Sequence, residues 1–121
     1  EYLSNHESVE RVGYPSKMDG YAKERADKYL TKGNGALMGF EIKGGVEAGK
    51  KFIDALEMVY HVANIGDSRS LAIHPASTTH SQLNEEELLS AGVTPGYVRL
   101  SIGLEHVDDI IADFEQALAK I

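Results

Sequence analysis

Residues 97–102 read Tyr97-Val98-Arg99-Leu100-Ser101-Ile102, and their aliphatic and polar side chains alternate without a break. This period of two predicts a β-strand with Val98, Leu100 and Ile102 on a buried face, which leaves Arg99 on the opposite side of the sheet. A guanidinium there needs water or an anion, and its planar fork of donors fits a carboxylate through two parallel hydrogen bonds. An ordinary surface ion pair is the plainer interpretation of a single arginine.

The segments around this strand predict an α+β fold. Strands are expected over residues 37–43, 58–62 and 71–73, which together with residues 97–102 would make one small, mostly antiparallel, four-stranded sheet. Two helices with apolar stripes, over residues 46–56 and 107–120, are expected to cover it. Shorter helices are predicted over residues 21–30 and after Asn84, where Glu87 completes a capping pattern. The first dozen residues are typical of the tail of a helix that leads into a turn.

Composition excludes several classes of function. The length of 121 residues, with 42% hydrophobic content, suits one small domain. Acidic residues outnumber basic ones by 19 to 12, and no basic cluster is present to neutralise the phosphates of a nucleic acid. No apolar run approaches the roughly 18 to 20 residues that cross a bilayer. The absence of cysteine excludes a disulfide framework and a thiolate nucleophile, and fits a cytoplasmic location.

Some residue combinations point to other chemistry. His61, His74 and His80 lack the helical pairing and the nearby carboxylate of a zinc site, so buried or turn-bonded histidines are the better interpretation. Ser77, His80 and Asp67 are the residue types of a hydrolytic triad, but no Gly-x-Ser-x-Gly turn accompanies them.

Several motifs together carry a resemblance to a known family. They are Asn64-Ile65-Gly66-Asp67-Ser68-Arg69-Ser70-Leu71, His74-Pro75-Ala76-Ser77-Thr78-Thr79-His80 and Arg99-Leu100-Ser101-Ile102-Gly103, with further matches over residues 35–45, 103–105 and 108–113. In this order and spacing the chain resembles the C-terminal domain of the fold-type I pyridoxal-phosphate enzymes of cysteine and methionine metabolism. The resemblance is greatest to their O-acetylhomoserine sulfhydrylase branch.

The resemblance implies how the chain is organised. Residues 1–121 are expected to form a single C-terminal domain, in which residues 1–14 are the remnant of a connecting helix and turn. The large cofactor-binding domain is expected to be absent from this chain. A first residue that is glutamate rather than methionine, and the lack of a secretory signal, agree with a piece of a longer protein.

The resemblance also implies an activity for the intact enzyme. Its cofactor is pyridoxal phosphate, and it makes homocysteine or a thioether from O-acetyl-L-homoserine and sulfide or a thiol. The family builds tetramers from dimers, so a homo-oligomer is expected. This chain contributes substrate positioning but no catalytic residue, cofactor lysine or metal ligand, and we expect it to be inactive alone.

Three residues carry over as substrate-binding candidates. The arginine of the motif around Arg99 grips the α-carboxylate of the amino-acid substrate in this family. Asn64 stands where lyases of the family carry a serine that helps to hold the same carboxylate, and asparagine there resembles the sulfhydrylase branch. Thr79 matches a threonine near the carboxylate, but a hydroxyl that closes a loop turn explains it equally well.

Other interpretations remain open at this point. The chain is also compatible with a stand-alone small α/β binding or interaction module, or with the corresponding domain of a related γ-synthase or γ-lyase. The sequence does not distinguish an acetyl from a succinyl donor, and it does not identify the thiol.

Overall fold

The structure is a computed structural model that describes residues 1–121, apart from the side chain of residue 85. The strands in this described chain are β1 (Val9–Gly13), β2 (Leu37–Ile42), β3 (Tyr60–His61), β4 (Leu71–Ile73) and β5 (Tyr97–Ser101). The α-helices are α1 (Gly20–Tyr29), α2 (Gly45–Ala55), α3 (Glu85–Ser90) and α4 (Val107–Leu118). Short 3-10 helices cover Leu3–Asn5, Pro15–Lys17 and Pro75–Ser77. None of the helices described is long and apolar enough to span a membrane.

The five strands form one mixed sheet in the order β1-β2-β5-β4-β3. The pairs β1 with β2, β2 with β5, and β4 with β5 are antiparallel, whereas β3 runs parallel to β4. The predicted α+β class and mostly antiparallel sheet are confirmed, and each of the four predicted strands contains an observed one. The predicted number of four strands is wrong, because the described chain has five.

The additional strand is β1, which lies where the sequence predicted a helical remnant and a turn. Val9 and Val12 are separated by a helical spacing, yet both pack against the core. A register shift between Val9 and Arg11 in the pairing with β2 accounts for this spacing, because a bulge interrupts the period-two alternation of a strand. β1 also pairs with the edge of β2, whose backbone groups need partners.

The core lies between one face of the sheet and the helices α2 and α4. Phe52 of α2 joins these layers, because its ring centroid lies 5.5 Å from that of Phe40 on β2 and 5.9 Å from that of Phe114 on α4. Most of the predicted stripe of α4 is buried, but Val107 in its first turn is 59% exposed. The buried hydrophobic residues of this cluster are Leu3, Val9, Phe40, Ile42, Phe52, Ile53, Val59, Ala72, Val98, Leu100, Ile110, Phe114, Ala117 and Leu118.

Asp113 is a buried carboxylate on α4 that holds the turn between α2 and β3. Its Oδ1 accepts a hydrogen bond from the backbone N–H of Glu57 at 2.8 Å, and its Oδ2 accepts from Met58 at 3.1 Å and Val59 at 2.9 Å. Burial raises the pKa of Asp113, but these backbone hydrogen bonds and one from Gln116 lower it by more, so the pKa lies below its ordinary value. The carboxylate is therefore charged at neutral pH and satisfies backbone donors that would otherwise be unpaired.

His74 is fully buried next to α2. Its Nε2 lies 2.7 Å from the carbonyl oxygen of Pro95, and its Nδ1 lies 2.8 Å from Oγ of Ser77. A carbonyl can only accept, so Nε2 carries the proton and Nδ1 accepts from the serine hydroxyl. Burial lowers the pKa of His74 and keeps the ring neutral. The interpretation of this residue as a buried, turn-bonded histidine is confirmed.

Replacing Asp113 by Asn is expected to lower the free energy of unfolding by about 2 to 4 kcal/mol. The two carboxylate oxygens of Asp113 accept from the N–H groups of Glu57, Met58 and Val59, whereas an amide has only one acceptor oxygen for them. The lowered pKa means that this stabilisation is present above the unfolded-state value, about pH 4, and is lost as the pH falls through the folded-state value. Denaturant unfolding at pH 7 and pH 3 measures both effects. Glu115→Gln, which removes the same charge from an exposed site on α4, is the control, and an equal loss in both variants at pH 7 would contradict the assignment.

Replacing Gly49 by Ala is expected to destabilise the chain by about 1 to 3 kcal/mol. Alanine normally stabilises a helix interior by up to about 1 kcal/mol relative to glycine. Here a Cβ would lie 2.4 Å from Nε2 of His74, whose ring is fixed by hydrogen bonds at both nitrogens. Thermal unfolding shows whether Gly49→Ala stabilises or destabilises the chain. Lys51→Ala, at an exposed site on the same helix, is the control and should change the Tm little. A higher Tm for Gly49→Ala than for the parent chain would show that the His74 ring moves aside at little cost and would contradict the prediction.

Candidate carboxylate-binding site

Arg99 lies in the middle of β5, opposite Gly39 of β2 and Ile73 of β4. Its neighbours in the strand, Val98 and Leu100, are fully buried in the core, so the guanidinium extends from the other face of the sheet, as predicted. The side chain is half-buried, and its Nη2 donates a hydrogen bond to the backbone carbonyl oxygen of Asn64 at 3.3 Å. Within the described residues no carboxylate forms an ion pair with it. The arrangement therefore differs from an ordinary surface ion pair.

Asn64 contacts Arg99 through its backbone carbonyl rather than through its side chain. The side-chain Oδ1 accepts a hydrogen bond from the N–H of Ile65 at 2.9 Å and so closes a local turn, while the carbonyl oxygen faces the guanidinium. We call residues 62–69 the Asn64 loop. The contact with Arg99 uses one guanidinium nitrogen and leaves other N–H donors for a ligand.

The middle of the Asn64 loop is tied to β5 by Ser101. The backbone N–H of Gly66 donates to Oγ of Ser101 at 3.1 Å, and Gly66 has a φ of 75°, a conformation that favours glycine. Ser101 is 2% exposed and lies on the same face of the strand as Arg99. Its hydroxyl therefore holds the middle of the loop over the face of the sheet from which Arg99 extends.

The end of the Asn64 loop is held by Ser70 and Glu105. The N–H of Ser70 donates to Oε1 of Glu105 at 2.7 Å, and its hydroxyl donates to Oε2 at 2.8 Å. Burial raises the pKa of Glu105, but the hydrogen bonds from Ser70 contribute to a larger lowering, so the pKa lies below its ordinary value. Sequence analysis did not identify this pair. The only local signal was that both residues lie in or next to motifs that had been noted for other reasons.

Tyr97 and Gly39 form the sheet surface beside Arg99. A Cβ at Gly39 would lie 2.2 Å from Oη of Tyr97, so the tyrosine ring rests directly on the backbone of β2. Glycine is the residue that permits this close approach. Tyr97 and Arg99 therefore project from the same face of β5.

Thr79 is exposed, and its Oγ1 lies 2.8 Å from Nδ1 of His80. The adjacent hydroxyls of Ser77 and Thr78 bond to His74 and close the turn that follows β4. The structure thus connects Arg99 and Asn64 by a hydrogen bond, whereas the hydroxyl of Thr79 bonds to the adjacent His80. A substrate-binding role for Thr79 stays a prediction.

Comparison with known proteins gives concordant results. Residues 1–119 match the model of the family described as Cys/Met metabolism PLP-dependent enzyme. The chain is 57% identical to an O-acetyl-L-homoserine sulfhydrylase of Leptospira meyeri, covering 100% of this chain and 28% of the relative. It is 48% identical to an L-methionine gamma-lyase of Fusobacterium nucleatum, covering 100% of this chain and 30% of that protein.

A solved structure has the same fold. It is a putative O-acetylhomoserine (thiol)-lyase from Campylobacter jejuni that carries a pyridoxyl-lysine monophosphate, and it superposes with a TM-score of 0.86 at 44% identity. The match covers 98% of this chain and 28% of that one, so the chain spans less than a third of the length of such proteins. By its sequence over residues 1–119, and by this fold, the chain belongs to the Cys/Met metabolism family of pyridoxal-phosphate-dependent enzymes.

Proposed function

We propose that this chain is the C-terminal, substrate-positioning domain of an O-acetylhomoserine sulfhydrylase. The observation that carries the proposal is the half-buried guanidinium of Arg99, which is oriented by the Asn64 carbonyl and has no carboxylate partner among the described residues. The sulfhydrylases among the relatives of the chain support the choice of activity. The substrates of that activity would be O-acetyl-L-homoserine and sulfide or a small thiol.

The residues of this chain do not fit a complete cofactor site. Its lysines are at most half-buried, and those with recorded bonds pair with other surface groups, as Lys23 does with Asp27 and Lys50 with Glu47. We therefore place pyridoxal phosphate in a larger domain outside residues 1–121. When bound there, pyridoxal phosphate supplies the electron sink for bond cleavage in the amino-acid substrate.

The contribution of Arg99 is orientation. Two parallel hydrogen bonds from the guanidinium to the α-carboxylate fix both the position and the plane of that group. Holding one end of the substrate in this way limits its rotation, so the reacting end is presented in a productive geometry. The contact of Nη2 with Asn64 holds the guanidinium plane before the substrate arrives.

A γ-lyase remains the second candidate because L-methionine gamma-lyases are also relatives of this chain. The asparagine at position 64 favours the sulfhydrylase, in line with the resemblance of this position to that branch. Assays of the complete enzyme with O-acetylhomoserine plus sulfide, and separately with methionine, distinguish the two activities. We also propose that the complete enzyme is a homo-oligomer and lies in the cytoplasm. The absence of cysteine from this chain is compatible with that location.

Arg99→Ala in the complete enzyme is expected to reduce kcat/KM about 30- to 1,000-fold, since it removes a charge-assisted, doubly hydrogen-bonded contact of about 2 to 4 kcal/mol. Arg99→Lys should fall between the parent enzyme and Arg99→Ala, because lysine keeps the charge but lacks the planar fork. Thermal stability should change little in either variant.

Arg11→Ala is the matched control for these kinetics. It removes an exposed arginine from the same sheet, two strands away, and should leave kcat/KM near the parent value. If Arg99→Ala retains the parental kcat/KM, or if it fails to fold, Arg99 is structural and the site assignment is wrong.

The isolated chain is expected to be catalytically silent. Incubation with pyridoxal phosphate, followed by borohydride reduction and peptide mapping, should show modification scattered over several exposed lysines. Stoichiometric attachment at one lysine, together with turnover of O-acetylhomoserine and sulfide, would contradict the proposal. It would favour a self-contained enzyme.

A further inference from the structure

Glu105 lies outside the guanidinium site but is connected to it through the Asn64 loop. Both of its carboxylate oxygens are occupied by Ser70, at 2.7 Å by the backbone N–H and at 2.8 Å by the hydroxyl. Ser70 is itself fully buried, and its Oγ accepts a hydrogen bond from the N–H of Gly103 at 2.9 Å. These groups form a clamp, Gly103-Ser70-Glu105, that joins the end of β5 to the end of the loop.

The clamp is closely packed as well as hydrogen-bonded. A Cβ at Gly103 would lie 2.4 Å from the carbonyl oxygen of Ser68, and that same oxygen accepts from the N–H of Leu104 at 2.8 Å. The segment after β5 therefore runs directly against the segment before β4. Movement at this junction would be transmitted to the loop that carries Asn64.

The loop also has attachments at its two ends: the N–H of Val62 donates to the carbonyl oxygen of Ala72 at 3.1 Å, and the guanidinium of Arg69 lies 4.2 Å from the ring centroid of Tyr60. The middle of the loop is held by the hydrogen bond between Gly66 and Ser101, and its exposed side chains make mainly local contacts, such as Asn64 with Ile65. The carbonyl of Asn64 is the acceptor that orients Arg99. The position of that carbonyl thus depends on several contacts of the loop, among them the hydrogen bond to Ser101 and the clamp.

We propose that Glu105 is a positioning residue for substrate binding, which acts through Ser70 and the Asn64 loop on the guanidinium of Arg99. It does not touch the substrate. The inference rests on the proposed role of Arg99 as the carboxylate anchor. Loss of Glu105 leaves the N–H and hydroxyl of Ser70 without an acceptor and allows the loop to shift, so the Asn64 carbonyl no longer holds the guanidinium in its binding orientation.

The test is a double-mutant cycle in the complete enzyme. Glu105→Ala is expected to raise KM for O-acetylhomoserine about 10-fold, with kcat and KM for sulfide changed less than about 3-fold, because the defect is in holding the amino-acid substrate. In an Arg99→Ala background the same substitution should add less than about 2-fold, since residues that act through one contact are not additive. Glu105→Gln, which retains an acceptor for the N–H of Ser70, should recover most of the parental KM.

The controls separate this inference from the proposed function. Glu115→Ala, an exposed acidic residue on α4, should leave both KM values unchanged. Additive effects of Glu105→Ala and Arg99→Ala, with Arg99→Ala impaired as expected, would overturn the positioning role alone. An unimpaired Arg99→Ala enzyme would overturn the proposed function itself. If Glu105→Ala does not fold, Ser70→Ala removes only the hydroxyl part of the clamp, and a parental KM in that variant would overturn the inference.

Discussion

The alternation of side chains along β5 connects the core to the candidate site. β5 lies at the centre of the sheet, hydrogen-bonded to β2 on one side and to β4 on the other. Val98 and Leu100 are fully buried beneath the helices, so Arg99 and Ser101 must point to the opposite face. A register slip of one residue would exchange the two faces. Burial of two aliphatic side chains therefore also sets the direction of the guanidinium and of the serine that holds the Asn64 loop.

Carboxylates hold several of the irregular segments in place. Asp113 accepts from the backbone N–H groups after α2, Glu105 from Ser70, and Glu41 from the N–H of Gly96 and the hydroxyl of Thr94. In each case a side chain on one segment satisfies backbone donors on another that is distant in sequence. Part of the acidic excess of this chain is therefore structural, because ionised carboxylates are strong acceptors for loop N–H groups.

Arg99 and Asn64 illustrate how a family motif acquires its geometry. Two separate motifs carry the asparagine and the arginine, 35 residues apart, and the fold joins them through a backbone carbonyl rather than through the asparagine side chain. The contact itself would survive many substitutions at position 64. What it requires is the path of the loop, which depends on Ser101 and on the pair formed by Ser70 and Glu105.

Local periodicity in the sequence was sufficient to predict β5, the face of Arg99 and the helices α2 and α4. The spacing of Asn84 and Glu87 was sufficient to predict their capping box. These features depend on residues that are neighbours along the chain. Only the tertiary structure revealed β1, whose bulge gives Val9 and Val12 a helical spacing, and the contacts of His74 with Gly49 and of Ser70 with Glu105. Such contacts join segments whose approach is set by packing of the whole core, and no local pattern in the sequence encodes them.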